Sequence, residues 1–486
     1  MQAIYIKMSF GKGKKMSKPK ISKEVKSGFL FTILGGGIWG ILIVFSGYRL
    51  LSSCLMMLLA VGLYFGFAFV ADGGNVLSLK ALFSVSWIGS IGLANLKLLP
   101  YQKVWERKTW IAVFLAFWGF LLGMLFSEIW QENHKKTRLD DKLFAIKKHF
   151  YVEEKRLFGI CMITGVIGIV SFVANIVYKG FLPFFSKDTQ AYFNFCTKFT
   201  IVYVATSAIA GLCYYVLRKG KLRRWQKVLL TCVLIVEAFL IPWLSVSRGN
   251  QMIALLILMI PVVLLSKRRF IALVLSLLVA FGSYEVGTMG RHLSDKYLDE
   301  VFLRSGEENP GEEMGLAQRN EPEEADGNRI PSRVAFLYSY LISSHENMNE
   351  AVLNTTGYSH GLRQLEPVLT VIRIPALREK LGKLPFYRVK YELTTGDLIT
   401  TFYYDFGCLG CFWGVFVWAL LFGHIERNVK KNPNPFGMLL LGVCMMPTVL
   451  SFFKNWMDYF TFWMMGGTVL VLWFAVCYHK REKIAK

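Results

Sequence analysis

The chain has 486 residues, of which 54% are hydrophobic and only 18% are charged, and its mean hydropathy is +0.41. A soluble chain of this length would carry about a quarter charged residues and would fold as several domains. Here the apolar residues fall in many runs of about twenty, each long enough to cross a hydrocarbon layer roughly 30 Å thick. The composition excludes a soluble protein and predicts an all-α, polytopic membrane protein with about 12 transmembrane helices.

The net charge of +23 would suggest a nucleic-acid partner in a soluble protein. Its basic residues, however, gather in short segments between apolar runs, as expected where positive segments are held on the cytoplasmic side of a membrane. We therefore expect no nucleic-acid partner. The nine cysteines lie almost all inside apolar runs, so their spacing indicates neither a disulfide framework nor a zinc site.

The predicted order begins with a basic cytoplasmic tail, residues 1–28, and continues with nine membrane spans within residues 29–287. A large external segment follows, residues 288–396. Three more spans lie within residues 397–478, and residues 479–486 form a second basic cytoplasmic tail. The twelve spans are residues 29–45, 51–70, 79–96, 109–126, 157–177, 199–217, 228–244, 251–265, 270–287, 398–422, 436–453 and 459–477.

The distribution of Lys and Arg supports this topology with both termini inside. Basic residues are frequent in segments 135–156, 218–227, 267–269 and 427–431, which all fall on the cytoplasmic side. One turn disagrees, because Lys97, Lys103, Arg107 and Lys108 follow the third span and would lie outside.

The external segment 288–396 contains nine arginines, four lysines and 16 acidic residues. Apolar residues at helical spacing predict helices at 334–353 and 364–381, the second broken by Pro375, lying over the membrane. Arginine binds phosphate or carboxylate in two places at once, so an anionic ligand is one interpretation, and pairing with the nearby acids is the other. Among these arginines, the candidates for substrate binding are Arg333, Arg363 and Arg373.

Two further arginines stand at predicted outer ends of spans. Arg248 lies in the turn SVSRGN, residues 245–250, and Arg291 follows the ninth span. An arginine at this depth needs water, lipid phosphate, an acid or a ligand, and snorkelling to lipid headgroups is the alternative to a site. Two arginines facing each other at the membrane surface would suit a pyrophosphate.

His345, in SSHENMNEAV, is a candidate general base, because imidazole exchanges protons near neutral pH. A surface histidine is the simpler interpretation, and the spacing of His345 from the other histidines of the segment matches no metal motif, so we predict no metal. Tyr404 and Asp405, at the start of the tenth span, indicate a sugar platform or an interfacial aromatic belt. Glu237, inside the seventh span, is either paired with a cation or part of a proton relay.

Several short motifs together resemble the bacterial O-antigen or oligosaccharide repeat-unit polymerases of the Wzy type. They are GFLPFF (180–185), SVSRGN (245–250), Arg291 after the ninth span, YSYLISSHENMNEAV (338–352), GYSHG (357–361) and TTGDLITTFYYDFGCLG (394–410). The resemblance covers roughly residues 180–423, and the earlier spans match only in number and hydrophobicity.

This resemblance implies a GT-C-like fold shared with O-antigen ligases and a glycosyl transfer on the outer face of the bacterial plasma membrane. The substrate would be an undecaprenyl-pyrophosphate-linked oligosaccharide in contact with membrane lipid, and no cofactor is implied. Arg248 and Arg291 would hold the pyrophosphate, and His345 would receive the proton of the acceptor hydroxyl. The product would be O-antigen, capsule or exopolysaccharide, with a chain-length regulator and a flippase as implied partners.

Three alternatives remain at the level of sequence. An O-antigen ligase would use much the same residues, although the SRG turn and the DFG at the start of the tenth span resemble polymerases more closely. A secondary transporter or flippase would concentrate polar groups at the midplane and often shows inverted repeats, and no repeat is detectable here. The remaining alternative is a non-catalytic membrane scaffold.

Overall fold

The structure is a computed structural model. The residues it describes are 23–131, 150–182, 195–218, 221–245, 268–289, 331–372, 374–390, 393–431 and 435–479, with Met259, Val263 and Ser266 singly.

The amino-terminal part is a succession of apolar helices with one short strand. Two of the helices contain a turn of π-helix, which widens the helix locally. The elements are α1 (Lys23–Val44), α2 (Arg49–Phe65) with a π-turn at Gly66–Ala71, α3 (Leu79–Asn95), α4 (Arg107–Gln131), β1 (Phe150–Val152), α5 (Glu154–Lys179), α6 (Phe195–Leu217), α7 (Arg224–Ile235) with a π-turn at Val236–Leu240 and a last turn at Ile241–Leu244, and α8 (Arg269–Met289).

The carboxy-terminal part begins with the helices of the predicted external segment. Pro375 starts a new helix there, because proline suits the first helical position and breaks a preceding helix. The elements are α9 (Ser332–Asn354), α10 (Glu366–Val371), α11 (Pro375–Gly382), α12 (Thr400–Lys431), α13 (Pro435–Val449), a 3₁₀ turn (Trp456–Asp458), α14 (Phe460–Val476) and β2 (Cys477–His479). β2 pairs antiparallel with β1.

The described chain is a helical membrane protein by length and composition of its helices. Six of its helices are long and apolar enough to cross a membrane, namely Val25–Val44, Arg49–Ala71, Arg107–Trp130, Glu154–Lys179, Phe199–Leu217 and Thr400–Lys430. Each predicted span overlaps a helix except 251–265, which lies outside the described residues apart from Met259 and Val263.

Two glycines bring α4 and α12 into backbone contact. A β-carbon at Gly119 would lie 2.5 Å from the Phe412 carbonyl oxygen, and one at Gly123 would lie 2.5 Å from the Phe416 carbonyl oxygen. These glycines form a Gly-x-x-x-Gly pair, the pattern that lets membrane helices approach closely. The α4–α12 pair therefore forms a central packing unit of the bundle.

The predicted external helix α9 is not a surface element. Its middle turns, from Ile342 to Glu350, are buried, and it contacts α3, α4 and α12. Lying over the membrane would leave one side of the helix in water, whereas here polar side chains such as His345 and Asn347 are enclosed between helices. We call the end of the bundle formed by segments 96–106, 331–399 and 450–459 the loop face.

The opposite end of the bundle is held by buried charges. Lys80 Nζ lies 2.8 Å from Glu128 Oε1 and 3.2 Å from Asp72 Oδ1. Arg427 contacts Glu128 at 3.3 Å. Because all the charges of Lys80, Asp72 and Glu128 are nearly inaccessible to solvent, these pairs join the end of α2 to α3, α4 and α12 without screening by water.

We expect Lys80→Met to lower the free energy of unfolding by about 3 kcal/mol, because Asp72 and Glu128 lose their nearest buried cation and keep only the more distant Lys430 and Arg427. Lys383→Met is the control, since its pair with Glu379 is exposed on both sides and such pairs contribute about 0.2–1 kcal/mol. Unfolding in detergent, followed by circular dichroism, measures both. Equal losses in the two variants would contradict a structural role for the Lys80 pairs.

Candidate functional site at the loop face

His345 is held in a single orientation at the centre of the loop face. Its Nδ1 donates to Asp397 Oδ2 at 2.7 Å, and its Nε2 lies 2.9 Å from Ser90 Oγ. The edges of Trp87 and Trp105 pack around the imidazole. The His345 side chain is 0% exposed, so both of its nitrogens are engaged and the ring is closed to solvent in this conformation.

Asp397 links this histidine to the start of a membrane helix. Its Oδ1 accepts from the backbone N–H groups of Ile399 at 3.2 Å and Thr400 at 3.1 Å, and from the Thr400 hydroxyl at 2.7 Å. This is the N-cap arrangement, in which a side-chain oxygen satisfies free N–H groups of the first turn. One carboxylate therefore caps α12 and fixes the tautomer of His345, because Nδ1 must carry the donated hydrogen.

A buried ion pair anchors α9 beside His345. Lys97 Nζ lies 2.7 Å from Glu346 Oε1 and 4.5 Å from the centre of the Trp105 ring. One helical turn further along α9, Lys103 Nζ lies 3.1 Å from Glu350 Oε1, but the Lys103 side chain is 63% exposed. Two of the four basic residues in the turn that disagrees with the charge rule, Lys97 and Lys103, therefore have acidic partners on α9.

The two lysines make a matched test of this anchor. Lys97→Met leaves Glu346 buried without a cation, so we expect it to lower the free energy of unfolding by about 3–5 kcal/mol. Lys103→Met removes a cation that is 63% exposed from an acid that is 10% exposed, so water screens part of this pair and we expect a smaller loss, about 1–2 kcal/mol. Thermal unfolding in detergent distinguishes them. A Lys103→Met variant as unstable as Lys97→Met would show that burial of the pair is not what anchors α9.

Asp405 positions a turn that carries one of the predicted substrate-binding arginines. Its Oδ1 accepts from the Arg363 N–H at 3.3 Å and from the Ser359 hydroxyl, and its Oδ2 accepts from the Gln364 N–H at 3.2 Å. Backbone bonds from residues 359 and 360 to residues 404 and 405 complete the attachment. The Asp405 carboxylate is thus fully buried and serves the turn 359–364.

The next glycine allows α12 to accommodate this turn. Gly407 has φ +65° and ψ −153°, which interrupts helical geometry directly after Asp405. A β-carbon there would lie 2.7 Å from the Tyr358 hydroxyl. Glycine is required because its backbone adopts positive φ without strain and leaves room for Tyr358.

Arg363 lies against an aromatic side chain. Its guanidinium carbon is 4.1 Å from the centre of the Tyr404 ring, and one terminal nitrogen donates to the Pro385 carbonyl. The Tyr404 hydroxyl accepts from the Tyr387 N–H at 2.9 Å, which fixes the ring. Stacking on an aromatic face holds the guanidinium in place while leaving it positively charged.

A second cation lies close to the same region. Lys454 Nζ is 3.0 Å from the centre of the Tyr459 ring, and the Asn455 amide donates to Asp458 Oδ1 at 2.9 Å. Electrostatic interactions link Lys454 to Glu366 and Asp458, and Arg363 to Tyr404, Glu366 and Asp458. We call this group the rim cluster; it comprises Arg363, Glu366, Tyr404, Lys454, Asp458 and Tyr459.

Burial makes the charge of the rim cluster sensitive to pH. It lowers the pKa of the Lys454 ammonium to about 7, although Glu366 and Asp458 act in the opposite direction. It raises the pKa of the Asp458 carboxyl to about 8, against the hydrogen bond with Thr401. As pH rises through this interval, Lys454 loses a positive charge and Asp458 gains a negative one. The cluster is therefore most cationic below pH 7, where it favours an anion.

The rim cluster and His345 are joined through one segment. The Ser344 hydroxyl donates to the Phe453 carbonyl at 2.7 Å, directly before Lys454. The Leu398 N–H, next to Asp397, donates to the Ser451 carbonyl at 2.8 Å. Segment 450–458 is therefore bonded to the residues next to His345 and Asp397, and it also carries Lys454 of the rim cluster.

The structure brings together three of the residues predicted from sequence, Arg363, Tyr404 and Asp405, whereas His345 is bonded separately to Asp397 and Ser90. Arg333 lies in the first turn of α9, but its side chain is outside the described part of the chain. Arg248, Arg291 and Arg373 lie outside the described residues, so their predicted roles stay predictions.

Sequence reasoning did not single out Asp397, Ser90 or the pair Lys97–Glu346. Asp397 carried a readable signal, because aspartate directly before an apolar run is a helix-start signature. The unexpected lysines after the third span, Lys97 and Lys103, indicated that acidic partners lie near that turn. No local pattern identifies Ser90, whose contact with His345 joins residues 255 positions apart.

Lys454 provides a direct test of how burial changes the pKa of the rim cluster. We expect acetylation of Lys454 by acetic anhydride to rise with pH only to about pH 7–8 and then to level off, because its amine is already neutral there. Peptide mass spectrometry of the folded protein measures it, with the exposed Lys383 as the reference amine. The same pH dependence for both lysines would contradict the lowered pKa of Lys454.

Among the described residues, no group of three or more His, Cys, Asp or Glu side chains is placed to hold a metal ion. No family model, curated protein or solved structure matches the chain. The loop face itself holds a buried, doubly engaged histidine and, in the rim cluster, two cations that lie against aromatic rings.

Proposed function

We propose that the chain is a membrane glycosyltransferase that polymerises oligosaccharide repeat units carried on undecaprenyl pyrophosphate, on the outer face of the bacterial plasma membrane. The observation that carries the proposal is the rim cluster, in which Arg363 and Lys454 lie against aromatic rings and Lys454 directly follows the residue bonded to Ser344, the neighbour of His345. Cations suit the pyrophosphate, and aromatic faces suit sugar rings.

The two cations of the rim cluster would bind the pyrophosphate in different ways. Arg363, stacked on Tyr404, presents donors in a fixed fork that matches phosphate oxygens. Lys454 adds a point charge when protonated. Charges fixed before the reaction stabilise the pyrophosphate as it leaves, without reorganisation of solvent. Arg248 and Arg291, assigned by resemblance, would extend this cationic surface.

The reaction would join two lipid-linked chains. A hydroxyl of the incoming repeat unit attacks the anomeric carbon of the growing chain, a new glycosidic C–O bond forms, and the bond to the pyrophosphate oxygen breaks. The hydroxyl proton passes to a base, and the lipid pyrophosphate leaves as an anion. The resemblance assigns the base to His345, whose imidazolium form the Asp397 carboxylate would stabilise.

The burial of His345 constrains this assignment. A side chain with no exposed surface touches a substrate hydroxyl only after the packing around α9 opens. Ser90, Trp87 and Trp105 enclose the ring, so opening would separate α9 from α3. In the closed form His345 acts as a positioning residue, because it holds Asp397 and with it the start of α12.

Deleting the gene in the organism that carries it tests the proposal, with the length distribution of surface and lipid-linked polysaccharide as the measurement. Loss of a polymerase leaves single repeat units in place of a ladder. Long lipid-linked chains that fail to reach their acceptor would instead identify a ligase. Unchanged glycans would overturn both and favour a transporter.

Complementation with variants locates the activity. We expect Arg363→Ala and Lys454→Met to lower polymer formation about 100-fold, the order found when one stabilising donor is lost from a charged transition state. Lys383→Met, a change at an exposed lysine of the same segment, should restore the full ladder. Full ladders with Arg363→Ala and Lys454→Met would remove the rim cluster from the reaction, and a full ladder with His345→Ala would remove only that residue's role.

A further inference from the structure

A carboxylic acid is buried where α7 leaves ordinary α-helical geometry. Residues Val236–Leu240 form a π-turn, and Glu237 within it is 1% exposed. π-turns are rare and occur often at functional sites, since the extra residue breaks the regular hydrogen-bond ladder. Glu237 stands near the middle of the predicted span 228–244, far from either end, where an ionisable residue requires a physical explanation.

Three helices form a small polar chamber around this acid. A β-carbon at Gly165 of α5 would lie 2.6 Å from Glu237 Oε1 and 2.8 Å from Ser207 Oγ of α6. Glu237 Oε1 and Ser207 Oγ therefore both border the space that Gly165 leaves open. The Ser207 hydroxyl donates to the Cys161 carbonyl at 2.7 Å, so its hydrogen is already engaged.

Glu237 lacks the cationic partner that several other buried acids of the protein have. Asp72 and Glu128 contact Lys80, and Glu346 contacts Lys97. In the part of the chain that the structure describes, Ser207 is the hydroxyl close enough to interact with the Glu237 carboxyl, and no cation pairs with it. The titratable group that interacts with it from the neighbouring helices is the thiol of Cys161, which supplies no positive charge.

An unpaired carboxylate in this position would be strongly unfavourable, because a charge removed from water without a counter-ion loses its solvation. The neutral acid avoids this loss and still fits the chamber. We propose that Glu237 is an intramembrane proton-binding site, occupied by a proton in the closed chamber formed with Gly165, Ser207 and Cys161.

The site goes beyond glycosyl transfer and does not depend on it, since none of its residues lies at the loop face. Release of the proton would create a charge that α5, α6 and α7 enclose on all described sides. The three helices must then separate enough to admit water. Proton occupancy is therefore linked to the packing of these helices against one another.

Labelling with dicyclohexylcarbodiimide tests the proposal on the full-length protein in detergent. This lipophilic reagent adds to the O–H of a protonated carboxylic acid and ends as a stable N-acylurea, which peptide mass spectrometry locates. We expect modification at Glu237 near neutral pH, with Glu128 and Glu346 unmodified because they are ion-paired carboxylates. Labelling should fall about tenfold per pH unit once the acid titrates.

Two results would overturn the proposal. The first is an unmodified Glu237 peptide under conditions that label added hydrophobic carboxylic acids. The second is protection of Glu237 by sodium ions at constant pH, which would show that the chamber holds a metal cation in place of a proton.

A pair of glycine variants shows whether the chamber itself is responsible. Gly165→Ala places a methyl group against Glu237 Oε1, so we expect it to change the pH at which labelling falls. Gly159→Ala, on the same helix but with open space around it, should leave labelling unchanged. Glu237→Gln keeps the shape of the neutral acid, so its folded yield and unfolding temperature should equal those of the parent. An unfolded Glu237→Gln variant would indicate a hidden counter-ion and contradict a neutral acid.

Discussion

The Asp397 carboxylate is the junction on which the loop face depends. One oxygen caps the first turn of α12, and the other holds His345 of α9. The residue that follows it is bonded to segment 450–458. A single side chain thus connects the inserted loop helix, the start of a membrane helix and the segment that carries Lys454. Without it, three N–H or O–H donors and an imidazole would be buried without acceptors, which is costly in a medium that offers no water.

Most other buried charges of the described chain are neutralised in pairs, and the exceptions indicate chemistry. Lys80 and Lys97 each lie against carboxylates, and their contribution is to hold helices together. Lys454 and Asp458, by contrast, have pKa values that burial moves towards neutrality, and Glu237 has no cationic partner among the described residues. Groups whose charge is not fixed by a neighbour can gain or lose a proton as part of a function. Within the part of the chain that the structure describes, the loop face and the π-turn of α7 are therefore two places where ionisation can change.

Local features of the sequence predicted much of the fold, because hydropathy is a property of neighbouring residues. The apolar runs around α4 and α12 predicted membrane helices, whereas the contact between them at Gly119 and Gly123 became apparent only in the structure. Pro375 correctly divided the second loop helix. The insertion of α9 between the membrane helices was not predictable, since Lys97 and Glu346 are 249 positions apart and pair only after folding. Arg363 was named from its residue type, but its stacking on Tyr404 depends on the turn that Asp405 holds.

The most direct measurement is the reaction of the purified chain in a lipid bilayer with a single lipid-pyrophosphate-linked repeat unit as the only sugar substrate. We expect products two, three and more units long, each step releasing one lipid pyrophosphate, with no added metal ion or cofactor. Recovery of unreacted repeat units from a folded protein, or their transport across the bilayer without elongation, would contradict it.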